Sequence, residues 1–263
     1  MAERPFPRQD QPKPVRYLFL SILVFAMLPA QAANYRIGLC LFGCPSGTDP
    51  GNQLILRPIY ALSYNSTTRV ADWVSYKVSA DSIGIASALS REPKPDPYVP
   101  DTLQAADFIL PEDSNLLRSQ LVPLVSFAGT PYWDDVNFMT AQVARTRSLN
   151  QGPWYGLEWA VRNLVNRESE VYVIAGPVYY PEPVMEPLPT ATPNRVPDAF
   201  FKIIVTESGR GTVFLLPQDS AIHVHHCETR SSLEEIEALT GLLFFPERPG
   251  LTLEPLDQAL GCF

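Results

Sequence analysis

The sequence predicts a mixed α+β fold, a central antiparallel β-sheet flanked by helices, and three observations predict it. Residues 54–64 and 69–79 are rich in Tyr, Val, Ile and Trp and are joined by Asn65-Ser66-Thr67-Thr68, while residues 199–206 and 212–216 flank Ser208-Gly209-Arg210-Gly211. Such runs on either side of a short polar turn are hairpin signals. Between the two pairs, Trp154, Leu157, Val161, Leu164 and Val165 recur at helical spacing over residues 150–167, the mark of a helix with one buried stripe. The composition, 46% hydrophobic and 18% charged over 263 residues, is that of a globular chain able to bury a sizeable core, and 27 prolines commit much of it to loops.

The chain opens with Glu3, Arg4, Arg8, Asp10, Lys13 and Arg16, followed by an apolar run over 17–28 and then Pro29-Ala30-Gln31-Ala32, a small-x-small cleavage pattern. Residues 1–32 therefore read as a secretory signal peptide, since the apolar run is short for a bilayer span of about 20 residues, and 33–263 read as one exported domain. Removing 1–32 takes away four basic and two acidic groups and moves the formal charge from −8 to −10. That charge disfavours a general phosphate-binding surface, because non-specific affinity for nucleic acid is mostly electrostatic, and any such binding needs a local basic cleft. Arg91, Arg118, Arg145 and Arg147 could line one, although Arg145 and Arg147 read first as a solvated loop. All four cysteines, Cys40, Cys44, Cys227 and Cys262, lie in the exported part. An even number there points to disulfides, and three pairings are open.

Each element has a local reason. Asn65-Ser66-Thr67 fits a glycosylation sequon, but a tight turn explains it without modification. The stretch Arg91-Glu92-Pro93-Lys94-Pro95-Asp96-Pro97 is a Pro-rich loop that carries Arg91. Asn150 is the N-cap expected for the helix over 150–167, with Pro153 in the first turn, where its missing N–H costs nothing. Two turns on, roughly 12 Å along the axis, Glu158 returns to the side that carries Trp154 and Val161. Residues 171–180 form a buried strand and 182–197 a second Pro-rich loop. Ser231, three residues before Glu234, is the expected capping box of a further helix. His223, His225 and His226 precede Cys227; on a strand the first two would share a face, but a cluster without metal is the simpler reading where Cys227 serves a disulfide. No P-loop, Gly-x-Ser-x-Gly elbow or His-Glu-x-x-His helix occurs.

The helix start Leu149-Asn150-Gln151-Gly152-Pro153-Trp154, with Leu157-Glu158, and the segment Leu117-Arg118-Ser119-Gln120 ahead of Pro123 resemble the DNA/RNA non-specific endonuclease family, the ββα-metal nucleases. The likeness runs from Cys40 to Cys262. It implies a ββα-metal fold, DNA or RNA as partner, and one Mg²⁺ held by the side-chain oxygen of Asn150, with Glu158 ordering the site and Arg91 and Arg118 facing phosphate. It also implies the pairings Cys40 with Cys44 and Cys227 with Cys262. The family's Asp-Arg-Gly-His is here Leu117-Arg118-Ser119-Gln120, so the position of the general-base His is filled by Gln120, a neutral amide, and a second site Asn is Ala141. The expectation is a nucleic-acid-binding member with hydrolysis lost or strongly reduced; the alternatives are an active Mg²⁺-dependent nuclease using metal-bound hydroxide and a purely structural protein. Restoring positions 117, 119, 120 and 141 together is expected to raise cleavage.

Overall fold

The computed structural model describes Met1 and residues 36–110, 114–190 and 194–263; the expected signal peptide, beyond Met1, lies outside these residues. In chain order the strands are β1 (Gln53–Leu56), β2 (Ala61–Asn65), β3 (Val70–Ser79), β4 (Leu116–Gln120), β5 (Gln142–Thr146), β6 (Glu170–Val178), β7 (Ala199–Val205), β8 (Arg210–Pro217), β9 (Arg230–Ser231) and β10 (Glu254–Pro255). The α-helices are α1 (Leu124–Phe127), α2 (Arg147–Gln151), α3 (Pro153–Glu168) and α4 (Leu233–Thr240). Among the described residues, eight strands make one sheet in the order β1-β2-β3-β6-β7-β8-β10, with β9 also on β8, and β4 pairs with β5 as a separate ribbon. The pairings are antiparallel except β8 with β10. This is the α+β fold expected, with both hairpins in place.

The large sheet is buried on both faces, which is why its central strands read as continuous apolar runs. Along β6, Val171, Val173 and Ala175 join Trp154, Leu157, Val161 and Leu164 of α3 in one core. Tyr172 and Ile174, pointing the other way, join Ile236 of α4, Phe244, Phe245 and Cys40 in a second core. The period of two along each strand sorts the residues between these layers. The whole of Arg36–Phe263 is one compact unit.

Three local expectations differ from the structure. Residues 54–64 are two strands, because the chain reverses at Arg57-Pro58-Ile59-Tyr60, where Arg57 N–H donates to Tyr60 C=O at 2.8 Å, so the segment through Ser79 is a three-stranded meander. Asn150 does not cap the long helix. It lies inside α2, which Thr146 caps, and α3 starts after Gly152 with Pro153 in its first turn. A Cβ at Gly152 would lie 2.5 Å from Ile222 C=O and 2.7 Å from Ser148 C=O, so only glycine allows the break between α2 and α3. At α4 the cap is Ser232, whose hydroxyl accepts from Glu235 N–H, one residue later than expected; the Ser231 hydroxyl instead donates to the Glu235 carboxylate. The turn at Asn65 is as expected, its side-chain oxygen accepting from Thr67 and Thr68 N–H.

The disulfides are Cys40–Cys44 and Cys227–Cys262. The second closes a loop of 35 residues, a constraint on the unfolded chain of about 4 kcal/mol by loop entropy. Beside it His226 opens a short 3-10 turn capped by His225, and His223 lies on a turn before it, so the cluster is not on a strand. The rings of His225 and His226 are 4.3 Å apart, and Cys227, the third potential ligand, has its sulfur in the disulfide. His226 is buried against Phe214, and its Nε2–H donates to Leu260 C=O at 3.0 Å.

Burial lowers the His226 pKa, with a smaller push the same way from His225, against the hydrogen bond to Leu260. The neutral ring is thus favoured in the fold. Stability should be at its plateau above the unfolded value near 6.5 and be lost as pH falls below it, because the unfolded chain takes up the proton first. The expected result is a Tm that drops between pH 7 and pH 5, with the drop reduced in His226→Gln, which stays neutral and can still donate to Leu260. An unchanged slope in the variant would remove His226 as its source.

Candidate active-site cleft

One cleft, about 280 Å³, gathers Arg91, Arg118, Gln120, Asn150 and Glu158, the residues singled out in the sequence, together with Ser119, Gln142, Arg145, Trp154 and Arg162. Its wall is the β4–β5 ribbon and its floor is α2 and the first turns of α3. In this ribbon Arg118 stands opposite Ala144 and Gln120 opposite Gln142.

The hydrogen bonds fix the polarity of each group. Arg118 donates through Nη1 to Gln142 Oε1 at 2.9 Å and through Nη2 to the carbonyl of Arg91 at 2.8 Å, which draws the Pro-rich loop onto the ribbon. Gln142 Nε2 donates in turn to Val136 C=O. Gln120 Nε2 donates to Asn137 Oδ1 at 2.9 Å, and Asn137 Nδ2 donates to Asp134 Oδ1 at 2.8 Å. An ionised carboxylate only accepts, so Asp134, which Lys94 holds ionised, sets the direction of that chain. Gln120 is a fixed amide with no proton to take near neutral pH.

Arg145, expected on a solvated loop, is at 0% exposure on β5. Its Nη1 donates to Ser119 Oγ at 2.5 Å and to Asn150 Oδ1 at 2.9 Å, and the guanidinium lies 3.6 Å from the Trp154 ring centroid. Ser119 Oγ–H also donates to Asn150 Oδ1, at 2.6 Å. Both lone pairs of that oxygen are engaged. Burial lowers Arg145 to about 9, so it remains a cation at neutral pH.

Glu158 does not pair with Arg162. Its Oε1 accepts from Trp154 Nε1 at 2.5 Å and faces Lys202 Nζ at 3.6 Å. Lys202 is 1% exposed on β7, between Phe200 and Ile204 on the α3 face, with its ammonium 3.6 Å from the Trp154 ring centroid. Burial pushes it down to about 8, against the pull of Glu158. Sequence reasoning missed Lys202, misplaced Arg145, and took Arg162 only as the partner of Glu158 four residues on in a purely structural protein. A usable signal existed: Lys202 interrupts Phe-Phe-Lys-Ile-Ile-Val, and Arg145 shares the inward face of β5 with Val143.

An antiparallel ribbon running into a helix, with arginines gathered over a helix-borne Asn, defines the ββα-metal nuclease class. The family profile of DNA/RNA non-specific endonucleases matches residues 41–250. The nuclease of Serratia marcescens is 33% identical over 94% of this chain and 97% of its own, and nuclease C1 of Cunninghamella echinulata var. echinulata is 29% identical over 81% and 92%. A chain from a crystal structure of the EndoG/EndoGI complex superposes with a TM-score of 0.72 at 24% identity, over 85% of this chain and 97% of that one. The protein belongs to the DNA/RNA non-specific endonuclease family.

Nucleases of this family are generally metal-dependent, and the donor set here does not fit a divalent cation. Asn150 Oδ1 is engaged by two hydrogen-bond donors, and Glu158 Oε1 is taken up by Trp154 and Lys202. An ion bound to that oxygen would sit within about 5 Å of the Arg145 guanidinium, a repulsion on the order of 7 kcal/mol at an effective dielectric constant of about 20.

Proposed function

We propose that the protein is an exported nucleic-acid-binding member of its family in which phosphodiester hydrolysis is lost or strongly reduced. One observation carries the reading: the position at the end of β4 that should hold a base is Gln120, whose amide is tied to Asn137. Losing a general base typically costs ~10²- to 10⁴-fold in rate. Ala141, fully buried, supplies nothing to the cleft in place of the second Asn. Arg91 and Arg118 give the cleft the local basic character that binding requires in a chain of net charge −8. Export is supported by the apolar run ending in Pro29-Ala30-Gln31-Ala32 and by the two disulfides.

The test is a cleavage assay on the purified exported chain with DNA and RNA, with and without Mg²⁺, beside an oligonucleotide-binding assay. Binding without turnover is the expected result. Turnover that Asn150→Ala abolishes would establish an active nuclease and overturn the proposal, whereas no binding under any condition would leave a structural role.

A further inference from the structure

We infer that Arg145 has taken the place of the divalent cation in this cleft, so that the cleft holds a phosphodiester without metal. The ligand rests on the nucleic-acid reading above; the cation replacement rests on geometry alone. The guanidinium is gripped from three directions: Asn150 Oδ1 and Ser119 Oγ accept from Nη1, Gln120 C=O accepts from Nη2 at 3.4 Å, and Trp154 and Phe200 lie 3.6 and 4.7 Å from it through their ring centroids. A fully buried cation anchored to β4, α2, α3 and β7 cannot exchange with solution as a bound ion does.

Two consequences follow for the ligand. With its oxygen engaged, Asn150 has only its Nδ2 donors to offer, and these have no protein partner among the described residues. The residue that would hold a metal as an acceptor can here serve an anion as a donor. Next, Arg145 Nε and Arg162 Nη1 are buried donors without partners, both on residues that line the cleft. Together with Arg118 and Arg91 they make a site rich in donors and positive charge, with Glu158 its one carboxylate and already paired. That chemistry suits phosphate oxygens, which accept several charge-assisted hydrogen bonds at once, and repels a free divalent cation.

The experiment has two readouts on the full exported chain: Mn²⁺ binding followed by electron paramagnetic resonance, and anisotropy of a short labelled DNA strand in EDTA and in Mg²⁺ at constant ionic strength. The parent is expected to bind no Mn²⁺ and to hold the oligonucleotide equally in both buffers. Arg145→Met, which keeps an unbranched apolar stem and removes the charge, should gain Mn²⁺ binding, because the Ser119 hydroxyl left on Asn150 Oδ1 can turn away, and should lose about tenfold in affinity in EDTA, the scale of one nearby charge removed from the cleft. Arg145→Lys should still exclude Mn²⁺. A parent that binds Mn²⁺ at a site removed by Asn150→Ala overturns the inference, as does an Arg145→Met variant with undiminished affinity in EDTA. Should Arg145→Met fail to fold, the parent and Asn150→Ala comparison still decides it. If the parent holds no oligonucleotide in either buffer, the nucleic-acid reading and metal-free phosphodiester binding fail together, while the Mn²⁺ arms still judge the cation replacement.

Discussion

A chain carrying Leu117→Asp, Ser119→Gly, Gln120→His and Ala141→Asn together with Arg145→Met is expected to cleave DNA and RNA in Mg²⁺ at least ~10²-fold faster than the parent, the lower end of a general-base contribution. The first four changes are the ones the sequence suggests, and with Arg145 in the place of the cation they are expected to fall short alone. With Arg145 in place, its guanidinium still donates to Asn150 Oδ1. Arg145→Met removes the charge and one donor to the same oxygen, and Ser119→Gly removes the other, a hydroxyl that can otherwise turn away, so the two changes together open the oxygen fully. Ala141 is fully buried, so an asparagine there overpacks the core at a cost of about 1 to 3 kcal/mol, and the unfolding midpoint has to be measured before the rate. The fourfold variant without Arg145→Met should show no comparable gain. A fivefold variant that folds and remains inert would mean that Arg91, Asn150 and Glu158 serve structure only.

Glu158→Gln is expected to destabilise the fold by about 3 kcal/mol, because it strands the Lys202 ammonium without a counter-charge. Lys202 is buried, its Nζ has no hydrogen-bond partner, and Glu158 at 3.6 Å is the carboxylate facing it. The amide can still accept from Trp154, so the loss isolates the charge. Replacing both partners, Glu158→Gln with Lys202→Met, should recover most of the stability, since a well-packed apolar pair often matches a buried ion pair. Urea unfolding with an unchanged m-value is the measurement. A single variant as stable as the parent would show that Trp154 alone neutralises the ammonium.

The scaffold was legible because its signals are local. The stripe of Trp154, Leu157, Val161, Leu164 and Val165 is the buried face of α3, and the turns at Asn65 and Gly209 join the strands they were expected to join. Arg118, Gln120 and Asn150 meet in one cleft because β4, which carries the first two, pairs with β5, and β5 runs directly into α2, which carries the third. The true state of that cleft was not legible. Arg145 is held by Ser119, Gln120, Asn150, Trp154 and Phe200, which come from separate elements, and its alternation with Val143 along β5 marks its burial but not these partners. The shift from Asn150 to Gly152 as the helix start turns on the approach of Ile222, a contact between distant segments.

Strand β8 forms one end of the large sheet, and what covers it is slight: β9 and β10, two residues each. Both lie inside the loop closed by Cys227–Cys262, and Asp257 fastens them by accepting from Arg230 and Thr212 at 2.8 Å. An uncovered strand edge is a template for other chains. The disulfide is therefore a guard against self-association as well as a stabiliser. A chain that stayed reduced would present the N–H and C=O groups of β8 to its neighbours, and its failure would be seen as clumping at high concentration before any change in the cleft.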